Sequence, residues 1–158
     1  IELRPEYINA YINRSIVYIG RQEYDLAFAD LEKALSIDPN DVEIYFNRGN
    51  LHRLLDQSDQ ALADYNQMIA IDPDNALGYF SRGTIYLITQ EIEKAIEDLN
   101  QAIEMDPKLI DAYYYRAVAY IEAQQNDKAI SDLEYVVANT DIPELRDLAQ
   151  EELNKLRP

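Results

Sequence analysis

The chain has no cysteine and no tryptophan, and it contains four glycines and one histidine among 158 residues. Without cysteine it can form no disulfide, thiolate metal site or cysteine nucleophile, and this absence fits any compartment. A single histidine leaves no second imidazole for a zinc site. The sequence also has no glycine-rich phosphate loop and no nucleophile elbow. We therefore expect no metal, no cofactor and no enzymatic activity.

Positive charge is scarce as well. Lysine and arginine total 14 against 30 aspartates and glutamates, which gives a net charge of −16. A nucleic-acid backbone is bound through lysine and arginine, and an anionic membrane surface repels an acidic protein. No apolar run approaches the roughly 20 residues of a membrane span. We expect no nucleic-acid binding and no membrane insertion, and we expect neutral or basic partners.

The few prolines that are present reveal an internal repeat. Pro5, Pro39, Pro73 and Pro107 follow one another at intervals of 34 residues. Three further columns keep the same phase: the tyrosines Tyr11, Tyr45, Tyr79 and Tyr113; the small residues Ser15, Gly49, Gly83 and Ala117; and the alanines Ala27, Ala61, Ala95 and Ala129. A fixed period of this length is typical of stacked repeats.

Each repeat carries two amphipathic stripes with the i, i+4, i+7 spacing of a helix. Between the stripes lie short polar segments such as LDQSD and AQQND, which are long enough only for a tight antiparallel turn. The proline then starts the next unit, where its missing N–H is tolerated at a helix start. The low glycine content and these periodicities predict an all-α protein built from antiparallel helix pairs.

The period, the small residue, the alanine column and the closing proline resemble the tetratricopeptide repeat (TPR) family over residues 5 to 140. Two departures are evident, since tyrosine replaces the usual tryptophan and arginine replaces the leucine that precedes the small residue. The resemblance implies a right-handed superhelical solenoid that acts as a protein–protein interaction scaffold. It covers most of the chain.

The repeat phase also gives the boundaries. Residues 1–4 match the end of a preceding repeat, because IELRP has the apolar–x–apolar–x–Pro spacing of LSIDP at 35–39. We predict repeats at 5–38, 39–72, 73–106 and 107–140. Residues 141–158 contain a leucine stripe and predict a C-terminal capping helix with a polar outer face.

Two charged columns lie on the stripes where helices should meet. They consist of Arg14, Arg48, Arg82 and Arg116 and of Asp30, Asp64, Asp98 and Asp132. An arginine can bond a carboxylate in two places and stays charged, so we predict one structural ion pair per repeat. The pair can form within a repeat or across to its neighbour. The alternative is an arginine row that binds acidic ligands.

The resemblance further implies that the first helices line a concave groove for a partner. The corresponding columns contain Ile12, Ile16, Ile19, Phe46, Asn50, Arg53, Phe80, Thr84, Leu87, Tyr114, Val118 and Ile121. So large an apolar surface is unusual in water, and we expect it to bind a partner peptide or helix, with Asn50 and Arg53 setting its orientation. The alternative is that some of these residues pack inside the protein.

The groove columns also bear on the chemistry of the partner. Some family members clamp acidic chaperone tails with basic groove residues, but Ile12, Ile16, Phe46 and Leu77 stand where basic or amide groups would be required. An apolar or basic partner segment is therefore favoured over an acidic tail. Two alternatives remain: a module that associates with its own copies as a homo-oligomer, or a targeting module of a larger multidomain protein.

Overall fold

The computed structural model describes the backbone of residues 5–157 and the side chains of residues 7–157. Within that range the chain forms nine α-helices and no strand. They are α1 (Pro5–Gly20), α2 (Tyr24–Ile37), α3 (Val42–Leu54), α4 (Ser58–Ile71), α5 (Ala76–Ile88), α6 (Ile92–Met105), α7 (Ile110–Glu122), α8 (Asn126–Asn139) and α9 (Pro143–Leu156). The predicted tail at residues 1–4 lies outside the described residues.

The first eight helices pair as α1/α2, α3/α4, α5/α6 and α7/α8, one pair in each 34-residue repeat. Asp38 and Asp106 shape two of the linkers between pairs, because each accepts a hydrogen bond from the backbone N–H two residues on. Asp41 and Asn75 then cap α3 and α5 by accepting from the backbone N–H groups of the first turn. The all-α helical-repeat fold predicted from the sequence is confirmed.

The turn inside each pair has a feature that the sequence did not suggest. Gln22, Asp56, Gln90 and Gln124 all have φ between 57° and 62°. This left-handed conformation favours glycine, yet none of the four positions has one. The backbone N–H just after each of these residues bonds back to the preceding helix, as in Gln57 N–H to the His52 carbonyl at 2.9 Å. The turns are thus closed at the cost of local backbone strain.

The chain divides into two compact units, Ile1–Pro73 and Asp74–Pro158. In unit 1, α2 packs against both α1 and α3 around Ile12, Leu31 and Leu51, which are 1%, 0% and 1% exposed. Burial of these side chains supplies the main stabilising free energy, roughly 1.5–3 kcal/mol for each large aliphatic residue.

In unit 2, α6 packs against α7, and α8 packs against α9. The described core residues on α9 are Leu145, Ala149 and Leu153, which join a cluster with Leu133 and Val136 of α8. The opposite side of α9 is largely polar and exposed. Unit 2 therefore ends on a helix whose inner stripe is apolar and whose outer surface is mostly polar, with Leu148 also 49% exposed.

Candidate partner-binding surface

The arginine and aspartate columns meet inside each helix pair. Arg48 on α3 donates from Nη2 to Asp64 Oδ1 at 2.6 Å and from Nε to Oδ2 at 3.0 Å. The structure places four such bidentate pairs, each within one repeat: Arg14–Asp30, Arg48–Asp64, Arg82–Asp98 and Arg116–Asp132. The four aspartates are 2% to 6% exposed, so the carboxylates are fixed within the protein. They are not open to a ligand.

Tyrosine rings also lie close to the guanidinium groups of these arginines. The guanidinium carbon of Arg82 lies 5.6 Å from the ring centroid of Tyr79 and 6.0 Å from that of Tyr86, within cation–π range. In the second repeat, the hydrogen bond to Asp64 raises the pKa of the Arg48 guanidinium, against the opposing effect of burial. A guanidinium that contacts both a carboxylate and aromatic rings stabilises the packing of the two helices in a pair. Each arginine of the column therefore has an aspartate partner within its own repeat.

The single histidine occupies the column that holds tyrosine elsewhere. The His52 ring lies 4.7 Å from the ring of Phe28 on α2, and its Nδ1 is 2.7 Å from Gln57 Oε1. Its Nε2 is 3.9 Å from Asp64 Oδ2. These contacts make His52 a packing residue between helix pairs of unit 1. Among the described residues, no three His, Asp or Glu side chains are grouped as a metal site.

Two of the predicted groove residues do not reach the surface. Ile12 is 1% exposed and belongs to the core of unit 1, and Thr84 is 9% exposed with its hydroxyl donating to the Ser81 carbonyl at 2.7 Å. The prediction that these two residues contact a partner is wrong. The helical spacing gives their direction around the axis, but it does not show that Ile12 packs against α2 and α3 or that Thr84 is buried.

In unit 1 the predicted polar groups make contacts within the protein. Asn50 accepts a hydrogen bond from the hydroxyl of Tyr65 at 2.9 Å. Burial raises the pKa of Tyr65 to about 12, while the nearby charge of Arg53 acts to lower it. Ile16 is 48% exposed, Ile19 and Phe46 are half-buried, and Arg53 is exposed. Unit 1 thus presents one exposed and two half-buried apolar residues of the predicted columns.

Unit 2 presents half-buried apolar residues on the first helices of both of its pairs. On α5 and α7 the half-buried residues of the predicted columns are Phe80, Leu87, Tyr114, Val118 and Ile121. Phe80 of α5 lies edge-on to Tyr115 of α7, with ring centroids 5.6 Å apart, and Tyr115 lies 5.7 Å from Tyr114. These contacts hold an aromatic cluster across the third and fourth repeats.

The structure also exposes apolar residues outside the twelve predicted contact residues, among them Leu77, which the sequence placed at a groove position. Leu77 is 42% exposed, Ile88 is 59% exposed and Tyr115 is 37% exposed. Leu77 precedes Phe80 by three residues, and Ile88 follows Thr84 by four, so both continue one helical stripe. Helical spacing could have added Ile88 if the stripe had been extended by one turn, whereas Leu77 already stood at a groove position in the sequence. We define the unit 2 apolar surface as Leu77, Phe80, Leu87, Ile88, Tyr114, Tyr115, Val118 and Ile121.

The repeated helix pairs and their packed columns define a helical-repeat protein. Profiles described as tetratricopeptide repeat match residues 14–77, 64–97 and 111–139, and a TPR repeat profile matches residues 83–124. The chain therefore belongs to the tetratricopeptide repeat family. No curated protein sequence matches it.

Solved structures with the same fold include the MamA protein, which is 23% identical with a TM-score of 0.75 over 97% of this chain and 91% of its own. TTC0263, a thermophilic TPR protein of Thermus thermophilus, is 22% identical, with a TM-score of 0.78 over 94% of this chain and 80% of its own. The second TPR domain of human RPAP3, solved in complex with an HSP70 peptide, is 29% identical. Its TM-score is 0.65 over 72% of this chain and 92% of its own.

TPR repeats are general protein-interaction scaffolds and are typically not catalytic. Among the described residues, every helix is too short or too polar to span a lipid bilayer.

Proposed function

We propose that this protein is a non-enzymatic interaction scaffold whose unit 2 apolar surface binds a segment of another protein. The observation that carries the proposal is the run of exposed or half-buried apolar side chains along α5 and α7. Ile88 and Leu77 keep 59% and 42% of their area in contact with water. Covering such side chains stabilises a complex by roughly 25 cal/mol per Å² of apolar area removed from water.

The contacts within the surface support a preformed site. Phe80, Tyr114 and Tyr115 are held by ring-to-ring contacts at 5.6 and 5.7 Å. Side chains already fixed before binding lose little conformational entropy in the complex. Aromatic residues with a few rotatable bonds are also the usual anchors of protein interfaces. The apolar side chains of a partner helix or strand would therefore pack against rings that are already held in place.

Charge at the edges of the surface supports a basic partner. Asp111 and Glu122 lie near the two ends of α7. Burial, followed by the nearby carboxylate of Glu152 on α9, raises the pKa of Tyr114. Lys155 pairs with Glu151 and Glu152 and acts to lower that pKa, so groups of both charge signs lie beside the ring. With a net charge of −16, the chain would attract a segment that combines apolar residues with lysine or arginine.

The RPAP3 structure contains the peptide SGPTIEEVD, which is acidic at its end. That complex supports a peptide as the class of ligand for the fold. It does not supply the charge of this chain's ligand, because Phe46 and Leu77 occupy positions where a clamp for acidic tails would need basic or amide groups. We propose an apolar and basic segment instead.

The proposal is tested with two labelled helical peptides of about 15 residues, enough for four turns, that share an apolar stripe. One carries lysine at the remaining positions and the other carries glutamate. We expect the lysine peptide to bind by fluorescence anisotropy, more weakly as salt rises, and the Leu77→Ser/Ile88→Ser variant to bind about tenfold more weakly.

A matched control is Leu26→Ser, which replaces a residue that is 48% exposed on α2 in unit 1. It should leave the affinity unchanged. Equal affinity of the two peptides would contradict the basic partner. Equal affinity of wild type and the Leu77→Ser/Ile88→Ser variant would contradict the location of the site.

A further inference from the structure

Helix α9 adjoins the unit 2 apolar surface at its fourth-repeat end. Tyr114 of α7 is half-buried and packs against the core cluster that contains Ala149 and Leu153 of α9. Burial raises the pKa of Tyr114, the charge of Glu152 raises it further, and the charge of Lys155 acts to lower it. The side of α9 that carries Glu152 and Lys155 therefore lies beside the Tyr114 ring.

An exposed leucine lies on that same side of α9. Leu148, Glu152 and Lys155 follow one another at spacings of four and three residues, so they occupy one face of the helix. Leu148 is exposed, and it stands 34 residues after Tyr114, the interval that also separates Tyr114 from Phe80. The apolar column of α5 and α7 is thus continued on α9 by a side chain that is open to water.

The charges beside Leu148 form a small cluster of ion pairs. Lys155 Nζ lies 2.9 Å from Glu151 Oε1 and 2.8 Å from Glu152 Oε1. Because two carboxylates share one ammonium group, the cluster keeps a negative charge next to an apolar side chain. Exposed ion pairs are weak, so a basic residue of a partner can take the place of Lys155 at Glu152.

We propose that α9 is the third helix of the partner-binding site: Leu148 contacts an apolar residue of the partner, and Glu152 binds a lysine or arginine beside it. The inference rests on the proposed function, because it assigns part of the same apolar and basic segment to α9. Helices in contact have axes about 8–10 Å apart, so α5, α7 and α9 span roughly 16–20 Å. A helical segment of about 15 residues is roughly 22 Å long and reaches all three. The helix that closes unit 2 thereby also selects the partner.

The apolar part of the proposal is tested with the labelled lysine peptide and fluorescence anisotropy. Leu148→Ser should weaken binding about fivefold, because a leucine side chain that the peptide would cover is lost. Ile142→Ser is the matched control, since Ile142 precedes α9, is 51% exposed and lines a cavity with Lys108 and Tyr135. Its affinity for the peptide should equal that of the wild type.

The charged part is tested by removing the cation that competes for Glu152. Lys155→Gln should tighten binding of the lysine peptide about threefold at low salt, and added salt should abolish the difference. Lys94→Gln makes the same change in net charge and is the control, because Lys94 is a similarly exposed lysine on α6 that pairs with Glu91. It should leave the affinity nearly unchanged.

Unchanged affinity in Leu148→Ser, or equal effects of Lys155→Gln and Lys94→Gln, would overturn the assignment of α9. The Leu77→Ser/Ile88→Ser variant separates that failure from a failure of the proposed function. It should still bind about tenfold more weakly if the assignment of α9 alone is wrong. It should bind as tightly as the wild type if the proposed function itself is wrong.

Discussion

Gly49 on α3 lies directly against the ring of Tyr65 on α4: a Cβ at position 49 would be 2.6 Å from Tyr65 Cε1. Tyr65 is fully buried, and its hydroxyl bonds Asn50. The fourth repeat has Ala117 and Leu133 at the corresponding positions. Glycine and tyrosine in the second repeat are therefore a matched pair, since the larger ring occupies the space where a Cβ would lie.

We predict that Gly49→Ala destabilises the protein by about 1–3 kcal/mol, because the ring must move in a packed interior. In the Tyr65→Leu background the same substitution should cost much less, since that combination reproduces the alanine and leucine of the fourth repeat. Urea unfolding of the four proteins in a double-mutant cycle measures the coupling. If the effects of the two substitutions on the free energy of unfolding were additive, Gly49 and the Tyr65 ring would not be energetically coupled.

The ion pairs should differ in their contribution to stability. Asp64→Ala leaves the Arg48 guanidinium, whose side chain is 25% exposed, without its carboxylate, and we expect a loss of about 3–5 kcal/mol. Asp30→Ala should cost less, because the side chain of Arg14 is 55% exposed and water can solvate it. Thermal unfolding of the two variants makes the comparison. An equal loss in both would argue against burial as the cause.

The burial of Tyr65 should also make the protein less stable to unfolding at high pH. Its pKa is raised to about 12 by burial, above the ordinary tyrosine value of about 10. The unfolded chain therefore releases the phenolic proton first, and the stability contributed by the neutral phenol is lost as pH rises from about 10 through about 12. We expect the free energy of unfolding to fall less steeply with pH in Tyr65→Phe. Parallel curves for the two proteins would contradict this origin.

The left-handed turn residues offer a way to increase stability. Gln90 has φ of 62°, a conformation that glycine adopts without the Cβ clash. We expect Gln90→Gly to raise the free energy of unfolding by about 0.5–1 kcal/mol, after the entropy of glycine in the unfolded chain is deducted. Gln90→Val should lower it, because a β-branched residue is disfavoured there. Chemical unfolding of both variants gives the sign, and a loss of stability with glycine would refute the assignment of strain.

The repeat phase of the sequence predicted the helix pairs, because tyrosine, alanine and proline recur at fixed positions. It also identified the arginine and aspartate columns. It left open whether each arginine bonds within its own repeat, because a spacing of 16 residues fits an antiparallel pair as well as a contact with a neighbour. The hydrogen bonds of Arg48 to Asp64 answer that question for the second repeat.

The surface was harder to predict than the columns. Helical periodicity predicts that Ile12 and Thr84 line the same face as residues such as Phe80, but it does not show that both are buried. The turn residue Gln90 gave no signal either, because glutamine is not typical of a left-handed turn. Contacts between helices and backbone angles at turns depend on packing, which a single sequence specifies only indirectly.

We propose two roles for the first helices of unit 2: the arginine column holds each helix pair together, and the unit 2 apolar surface beside it binds the partner. The most direct measurement compares Asp132→Asn with Leu77→Ser/Ile88→Ser, using the lysine peptide and urea unfolding on the same samples. We predict that Asp132→Asn lowers the unfolding midpoint and keeps the peptide affinity while folded. The Leu77→Ser/Ile88→Ser variant should keep the midpoint and lose about tenfold in affinity. Loss of affinity in folded Asp132→Asn, or unchanged affinity in the serine variant, would contradict this division.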